Sequence, residues 1–169
     1  MATRYRVARE RRGGFTLLEI LIVIAIVGIV MAIAVGNFRG MMEKYRVEGE
    51  TKQMFADLMD ARGRAMQRNR VFHVQITDNG YKTFEDINPA PDGDDNLTGS
   101  DKQVAGVTVI PTITPTAGLS YFRFNRNGIA SATGTIRFSS TSQPDYDCIT
   151  VRETRIKMGK WNGASCDEK

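Results

Sequence analysis

A nearly unbroken apolar run over residues 15–35 constrains this chain more than any other feature. A helix of 21 residues is about 30 Å long, which is enough to cross the hydrocarbon core of a bilayer. Five arginines precede the run and none lies within it. The positive-inside rule therefore predicts a cytoplasmic N-terminus and places residues 40–169 on the other side of the membrane.

Glu19 interrupts this run close to its start. A carboxylate at membrane depth costs about 2.5–3.5 kcal/mol, and neither a secretory signal peptide nor a plain membrane anchor has a use for it. A cut between Gly14 and Phe15 gives Glu19 a use, because the new α-amino group of one helix can then contact Glu19 of a neighbouring helix. At about 4 Å and an effective dielectric constant of about 20, that attraction is roughly 4 kcal/mol and offsets the burial.

The stretch Gly13-Gly14-Phe15-Thr16-Leu17-Leu18-Glu19 resembles the processing signal of type IV pilins and type II secretion pseudopilins. The resemblance implies that a prepilin peptidase cuts after Gly14 and methylates Phe15, and that Glu19 serves assembly. The implied partners are other pilin or pseudopilin subunits, the peptidase and an inner-membrane assembly platform. The implied location is the inner membrane, with the C-terminal domain in the periplasm, and later a pilus or pseudopilus filament.

Small residues recur at four-residue spacing along the apolar helix, at Gly28, Ala32 and Gly36. They share one helix face, and such faces let membrane helices approach closely. The alternative is that glycine and alanine are simply common in membrane helices. Pilins usually have proline where Gly36 stands. Glycine disfavours a helix less than proline does, so a helix bend at this position is less strongly imposed.

The helical pattern continues beyond the membrane and then changes to a period of two. Apolar residues recur every three or four positions to about residue 69, at Phe38, Met41, Met42, Tyr45, Phe55, Leu58, Met59, Ala65 and Met66. Short β-branched and aromatic runs follow, at residues 71–76, 81–84, 104–113, 121–124, 135–138, 148–151 and 155–158. The run over 104–113 contains Pro111, which is able to break the strand. Turns at residues 78–80 and 125–128 predict two hairpins.

These patterns predict an α+β fold, in which one long N-terminal helix packs on an antiparallel β-sheet. We expect four parts: a cleaved basic leader over 1–14, a transmembrane and assembly helix over 15–36, an amphipathic helix over 37–69 and a β-sheet region over 70–169. The formal charge of +4 resides in the leader, whose five arginines and one glutamate give the same net value. A basic isoelectric point therefore says little about the partners of the processed chain.

Cys148 and Cys166 are the chain's two cysteines. No Cys-x-x-Cys pair and no histidine cluster accompanies them, so a zinc site is not indicated. If this end lies outside the cytoplasm, a disulfide that closes a short loop is favoured, and the alternative is two unrelated buried thiols.

The sequence also contains a candidate DNA-binding cluster and a candidate calcium loop. The cluster comprises Arg152, Arg155, Lys157 and Lys160, with Trp161 nearby for base stacking. It resembles the Gly-Arg-x-Arg motif of FimT-type pilins involved in DNA uptake, but it lacks the glycine and the second arginine. The alternative is a solvated strand face. The loop places Asp92, Asp94 and Asn96 at calcium-ligand spacing, but Leu97 stands where glycine is needed, so no metal or other cofactor is predicted.

Nothing in the sequence indicates catalysis, because His73 is the single histidine and lies within a predicted strand. Residues 61–69 and 124–130 resemble minor pilins and pseudopilins of the GspH, FimT and FimU type. The resemblance implies a minor pilin of a type IV pilus, acting in assembly or at the tip, with roles in twitching motility, adhesion or DNA uptake. The alternatives are a GspH-like minor pseudopilin of a type II secretion system and a DNA receptor at the pilus tip.

Overall fold

The computed structural model describes residues 14–90, 93–109, 112–115 and 120–169, without the side chains of residues 34–37. One long helix, α1, is followed by nine strands in this described part, and the helix has the extent that the apolar spacing predicts. The elements are α1 (Leu17–Arg68), β1 (Phe72–Thr77), β2 (Gly80–Glu85), β3 (Lys102–Thr108), β4 (Ile113–Pro115), β5 (Tyr121–Phe124), β6 (Gly134–Phe138), β7 (Cys148–Val151), β8 (Ile156–Trp161) and β9 (Cys166–Glu168).

The chain divides into two compact units, Met1–Arg39 and Gly40–Lys169. We call the part of α1 in the first unit its front half and the part in the second unit its back half. Residues 14–33 are all exposed, and an 18-residue window of the helix has a mean hydropathy of 3.0. By length and composition, the front half is able to cross a membrane.

The back half of α1 buries one stripe of side chains against the sheets of the second unit. The stripe follows the helical period through Val47, Thr51, Met54, Leu58, Ala61 and Ala65. The predicted stripe is therefore only partly right, because it included residues that the structure exposes, namely Phe38, Met41, Met42, Tyr45, Met59 and Met66. Successive residues differ by about 100° around a helix, so Met59 cannot share the buried face at Leu58.

The strands form two antiparallel sheets instead of the single predicted one. Their orders are β3-β2-β1-β5 and β4-β6-β7-β8-β9. The β1–β2 hairpin is present as predicted, with Thr77 paired to Gly80 across the turn. A Cβ atom at Gly80 would overlap the carbonyl oxygen of Val107 in β3, so this position requires glycine.

One prediction about strand pairing is wrong. The expected hairpin of residues 121–124 and 135–138 does not form, because β5 pairs with β1 while β6 pairs with β4 and β7. The turn after β5 closes only the isolated bridge Phe124–Ala130, after which the chain crosses to the other sheet. Residues 104–113, expected as a strand that Pro111 can break, contribute to two strands, β3 and β4, which lie in different sheets. Turn residues indicate where a chain reverses, but not which strand it then meets.

One hydrophobic cluster joins both sheets to the back half of α1. Its largest fully buried side chains are Phe72, Phe122, Phe124, Phe138, Met54 and Leu58. The second unit therefore carries a core of its own, which supports the functional surfaces described next.

Candidate functional site

The start of α1 is fixed by a side-chain cap. The backbone N–H of Glu19 donates to Thr16 Oγ1 at 3.2 Å, and the N–H of Ile20 donates to the Thr16 carbonyl at 3.3 Å. Thr16-Leu17-Leu18-Glu19 has the Thr-x-x-Glu spacing of a capping box. The sequence prediction assigned Thr16 no role, although this spacing was available to indicate one.

The expected cleavage point lies just before this cap. Gly14 and Phe15 precede the helix, a Cβ atom at Gly14 would meet nothing within 4 Å, and Phe15 is 79 % exposed. Glu19 is exposed in the first helical turn, where the helix dipole favours a carboxylate. The structure thus presents an open Gly14–Phe15 bond beside a capped helix. Gly13 and the rest of the leader lie outside the described residues.

The small residues of the front half lie on an open helix face. Gly28 and Ala32 are both exposed, and a Cβ atom at Gly28 would meet nothing within 4 Å. Gly36 is part of α1, but its surroundings lie outside the described side chains. That this face packs against other helices stays a prediction.

Cys148 and Cys166 form a disulfide that crosses the intervening strand β8. It joins β7 to β9, with a Cα–Cα distance of 5.9 Å. A Cβ atom at Gly159 would lie 2.9 Å from Cys166 Sγ and still closer to the Asp167 carbonyl oxygen. Gly159 is thus needed for the bridge to pass over β8, and no sequence signal identified that requirement.

The comparisons with known proteins assign this architecture to a family. The family model described as "Type II transport protein GspH" matches residues 50–154, which is more than half of the chain. The chain belongs to the GspH family. A second model, the "Prokaryotic N-terminal methylation motif", matches residues 9–35 and therefore includes the capped helix start.

Solved structures agree with this GspH-family assignment at the level of fold. Two crystal structures of the type IV minor pilin FimU from Pseudomonas aeruginosa are similar, each at 11 % identity. The first covers 75 % of this chain and 96 % of FimU with a TM-score of 0.53, and the second covers 71 % and 96 % with a TM-score of 0.50. No curated protein sequence matches the chain significantly. The GspH family and the methylation motif together make this protein a subunit of the pilin or pseudopilin type.

The predicted DNA-binding cluster of this GspH protein has three members on one face. Arg152, Arg155 and Lys157 approach the carboxylate of Glu168 at 3.6, 3.3 and 3.5 Å. Lys160 is three positions from Lys157 on β8, so strand alternation places it on the opposite face. One carboxylate shared by three exposed cations holds them together without neutralising them.

Carboxylates in and near the predicted calcium loop accept hydrogen bonds from backbone N–H groups of the loop. Asp92 lies outside the described residues. Asp94 Oδ1 accepts from the backbone N–H of Asn96 at 3.0 Å, and Asp86 accepts from the N–H of Asp95 at 2.7 Å. Burial raises the pKa of Asp86. Within the described ranges, no group of three acidic, histidine or cysteine side chains is placed to hold a metal.

His73 is a fully buried residue of β1. Neither ring nitrogen has a hydrogen-bond partner among the described residues, and the ring meets Tyr121 edge-on at 6.1 Å. Burial lowers the pKa of His73, against the weaker opposing effects of Asp86 and Asp101. The neutral imidazole is thus the form that suits this environment.

Proposed function

We propose that this chain is a minor pilin of a type IV pilus, cut between Gly14 and Phe15 and assembled through the front half of α1. One observation carries the proposal: a capped helix begins directly after an open Gly14–Phe15 bond and presents Glu19 at the head of an apolar span. Cleavage at this bond leaves the helix and its cap intact, so processing changes only the terminus.

Glu19 is proposed to join neighbouring subunits. Its cost at membrane depth is about 2.5–3.5 kcal/mol, which a chain that merely anchors in lipid has no means to recover. A neighbouring Phe15 ammonium at about 4 Å offsets it by roughly 4 kcal/mol. Membrane insertion then tolerates Glu19, and filament assembly benefits from it. Gly28, Ala32 and Gly36 are proposed to let the helices approach closely enough for this contact.

The proposed topology places the second unit in the periplasm before assembly. The arginines of the leader favour a cytoplasmic N-terminus, and the Cys148–Cys166 disulfide suits an oxidising compartment. The proposed partners are the prepilin peptidase, the inner-membrane assembly platform and other pilin subunits.

Gly14→Val tests the processing step. We expect the wild-type chain from membranes to begin at Phe15 with one added methyl group, and the variant to keep its leader, because a branched side chain blocks the cut. Intact-mass analysis measures both, and Gly13→Ala, one residue upstream, is the matched control. A wild-type chain that begins after Ala34 contradicts the proposal, since that start marks an ordinary secretory signal.

A minor pseudopilin of a type II secretion system is the second candidate. The match of residues 50–154 to the GspH model favours it. Deletion of the chain separates the two proposals. Loss of surface pili, with the chain detected by immunogold labelling on sheared wild-type filaments, supports the pilus. Loss of exoprotein secretion with unchanged pili supports the pseudopilus.

A further inference from the structure

A cavity of about 140 Å³ opens on the five-stranded sheet of the second unit. It is lined by Thr114, Pro115, Thr135, Arg137 and Trp161. These residues come from the edge strand β4, its neighbour β6 and the end of β8. The cavity therefore lies beside a sheet edge, where another chain is able to approach, and it has room for one small chemical group.

Two side chains that line this cavity carry buried hydrogen-bond donors without an acceptor among the described residues. Arg137 Nε and Trp161 Nε1 are buried, and neither has a hydrogen-bond partner among the described residues. The Arg137 guanidinium carbon lies 5.1 Å from the centroid of the Trp161 ring. A buried donor without an acceptor is costly, so the pair favours a bound group that supplies oxygen atoms.

Arg137 also differs from the three cations that surround Glu168. Arg152, Arg155 and Lys157 share Glu168, whereas Arg137 takes part in none of the ion pairs formed within the described ranges. A partly buried cation without a counter-ion attracts an anion. Because the described lining contains no carboxylate, that anion has to come from outside this surface.

The shape of the cavity favours a carboxylate over a nucleic acid. A planar guanidinium binds a carboxylate through two parallel hydrogen bonds, and the Pro115 and Trp161 side chains suit the methylene groups behind it. Stacking of a base requires a free face of an aromatic ring. The Arg137 guanidinium already covers one face of the Trp161 ring.

We propose that this cavity receives the side-chain carboxylate of an Asp or Glu residue from a neighbouring filament subunit. The identity of the partner rests on the proposed function, whereas the preference for a carboxylate does not. Arg137 binds the carboxylate, Trp161 donates through its indole N–H, and the edge position of β4 gives the neighbour access.

Trp161 is the chain's single tryptophan and reports directly on the cavity. The first test titrates the full mature chain in neutral detergent micelles with sodium acetate, at an ionic strength balanced with sodium chloride. We expect a saturable fluorescence change with acetate and none with chloride. Arg137→Gln should weaken the apparent affinity by about tenfold or more, while the control Arg46→Gln, at an exposed position of α1, should leave it unchanged.

A response to chloride equal to that to acetate, or an unchanged affinity in Arg137→Gln, overturns the carboxylate site. A response to a single-stranded oligonucleotide in the absence of one to acetate also overturns it and assigns the cavity to phosphate. A cooperative denaturant-unfolding transition verifies that each variant is folded.

The second test identifies the partner in assembled filaments. Arg137→Lys places a primary amine in the cavity, and a zero-length carbodiimide reagent joins amines to carboxylates in contact. We expect mass spectrometry to find the new amine joined to an Asp or Glu of another filament subunit, with wild-type filaments as the background. If no such adduct is found, or if the adduct is confined to the same chain, the assignment of a neighbouring subunit as the partner is overturned. Absence of the chain from filaments contradicts the proposed function instead, and the acetate titration still decides the cavity.

Discussion

The two halves of α1 belong to one helix, but their apolar side chains have different surroundings. In the front half, residues 14–33 are exposed on every side, whereas the back half buries a single stripe against the sheets. A helix that is apolar all round requires cover from outside its own chain, and an amphipathic helix requires a sheet on one side. Mutations in the back half should therefore alter the stability of the second unit, and mutations in the front half should alter assembly.

The largest stability effect is expected at the buried stripe of the back half. Leu58→Ala should lower the free energy of unfolding by about 2–5 kcal/mol, because Leu58 is fully buried and its truncation leaves a cavity. The adjacent Met59→Ala should change it by about 0.5 kcal/mol or less, because Met59 is 43 % exposed. Denaturant unfolding of the mature chain in micelles, followed by Trp161 fluorescence, measures both. Equal effects at the two positions would show that the helix buries a different face.

Removal of the disulfide tests the stability of the second unit separately from the front half of α1. Its cysteines are 18 residues apart, so replacing both by alanine should cost about 3 kcal/mol of stability. The melting temperature of the same mature chain should fall, while leader cleavage and membrane insertion stay unchanged because the proposed cleavage site and membrane span lie outside the second unit. The substitution Ser131→Ala at an exposed position is the control for the handling of variants. Two alkylatable thiols in periplasm-exposed wild-type protein would refute this prediction.

Titration of His73 is expected to have a smaller, pH-dependent effect on the free energy of unfolding. Burial lowers the pKa of His73 in the folded chain, so the unfolded chain binds a proton first as the pH falls below about 6.5. The free energy of unfolding should then decrease with falling pH, by at most about 1.4 kcal/mol per pH unit.

The test is a comparison of wild type with His73→Gln between about pH 7 and about pH 5.5, in which the variant should show the flatter profile. The difference isolates His73 from Asp86, whose raised pKa acts in the opposite direction. Parallel profiles would exclude His73 as the titrating group.

Sequence reasoning was most successful where local chemistry decides the structure. The helix over Leu17–Arg68 and the β1–β2 hairpin follow from periodicity and turn residues. It was least successful where distant segments meet. Nothing local indicates that β5 and β6 belong to different sheets, or that the last three-residue strand, β9, pairs with β8.

The candidate sites divide in the same way. Thr16 was recognisable from its spacing to Glu19, although it was not recognised. The need for Gly159 depends on a disulfide crossing from another strand, and the cavity at Arg137 depends on three strands together. Such features arise from the tertiary fold, which a single sequence does not reveal.

The central claim is that Glu19 serves contacts between subunits and not insertion into the membrane. The most direct measurement compares the membrane-fraction and filament-fraction levels of Glu19→Ala, with leader cleavage checked by gel shift. Removing the carboxylate favours insertion by about 2.5–3.5 kcal/mol, so the variant should be cleaved and present in membranes at normal or higher levels. It should be strongly depleted from filaments, and Glu19→Lys should be depleted further because it brings two cations together. Normal incorporation of Glu19→Ala into filaments at unchanged membrane levels would contradict the account.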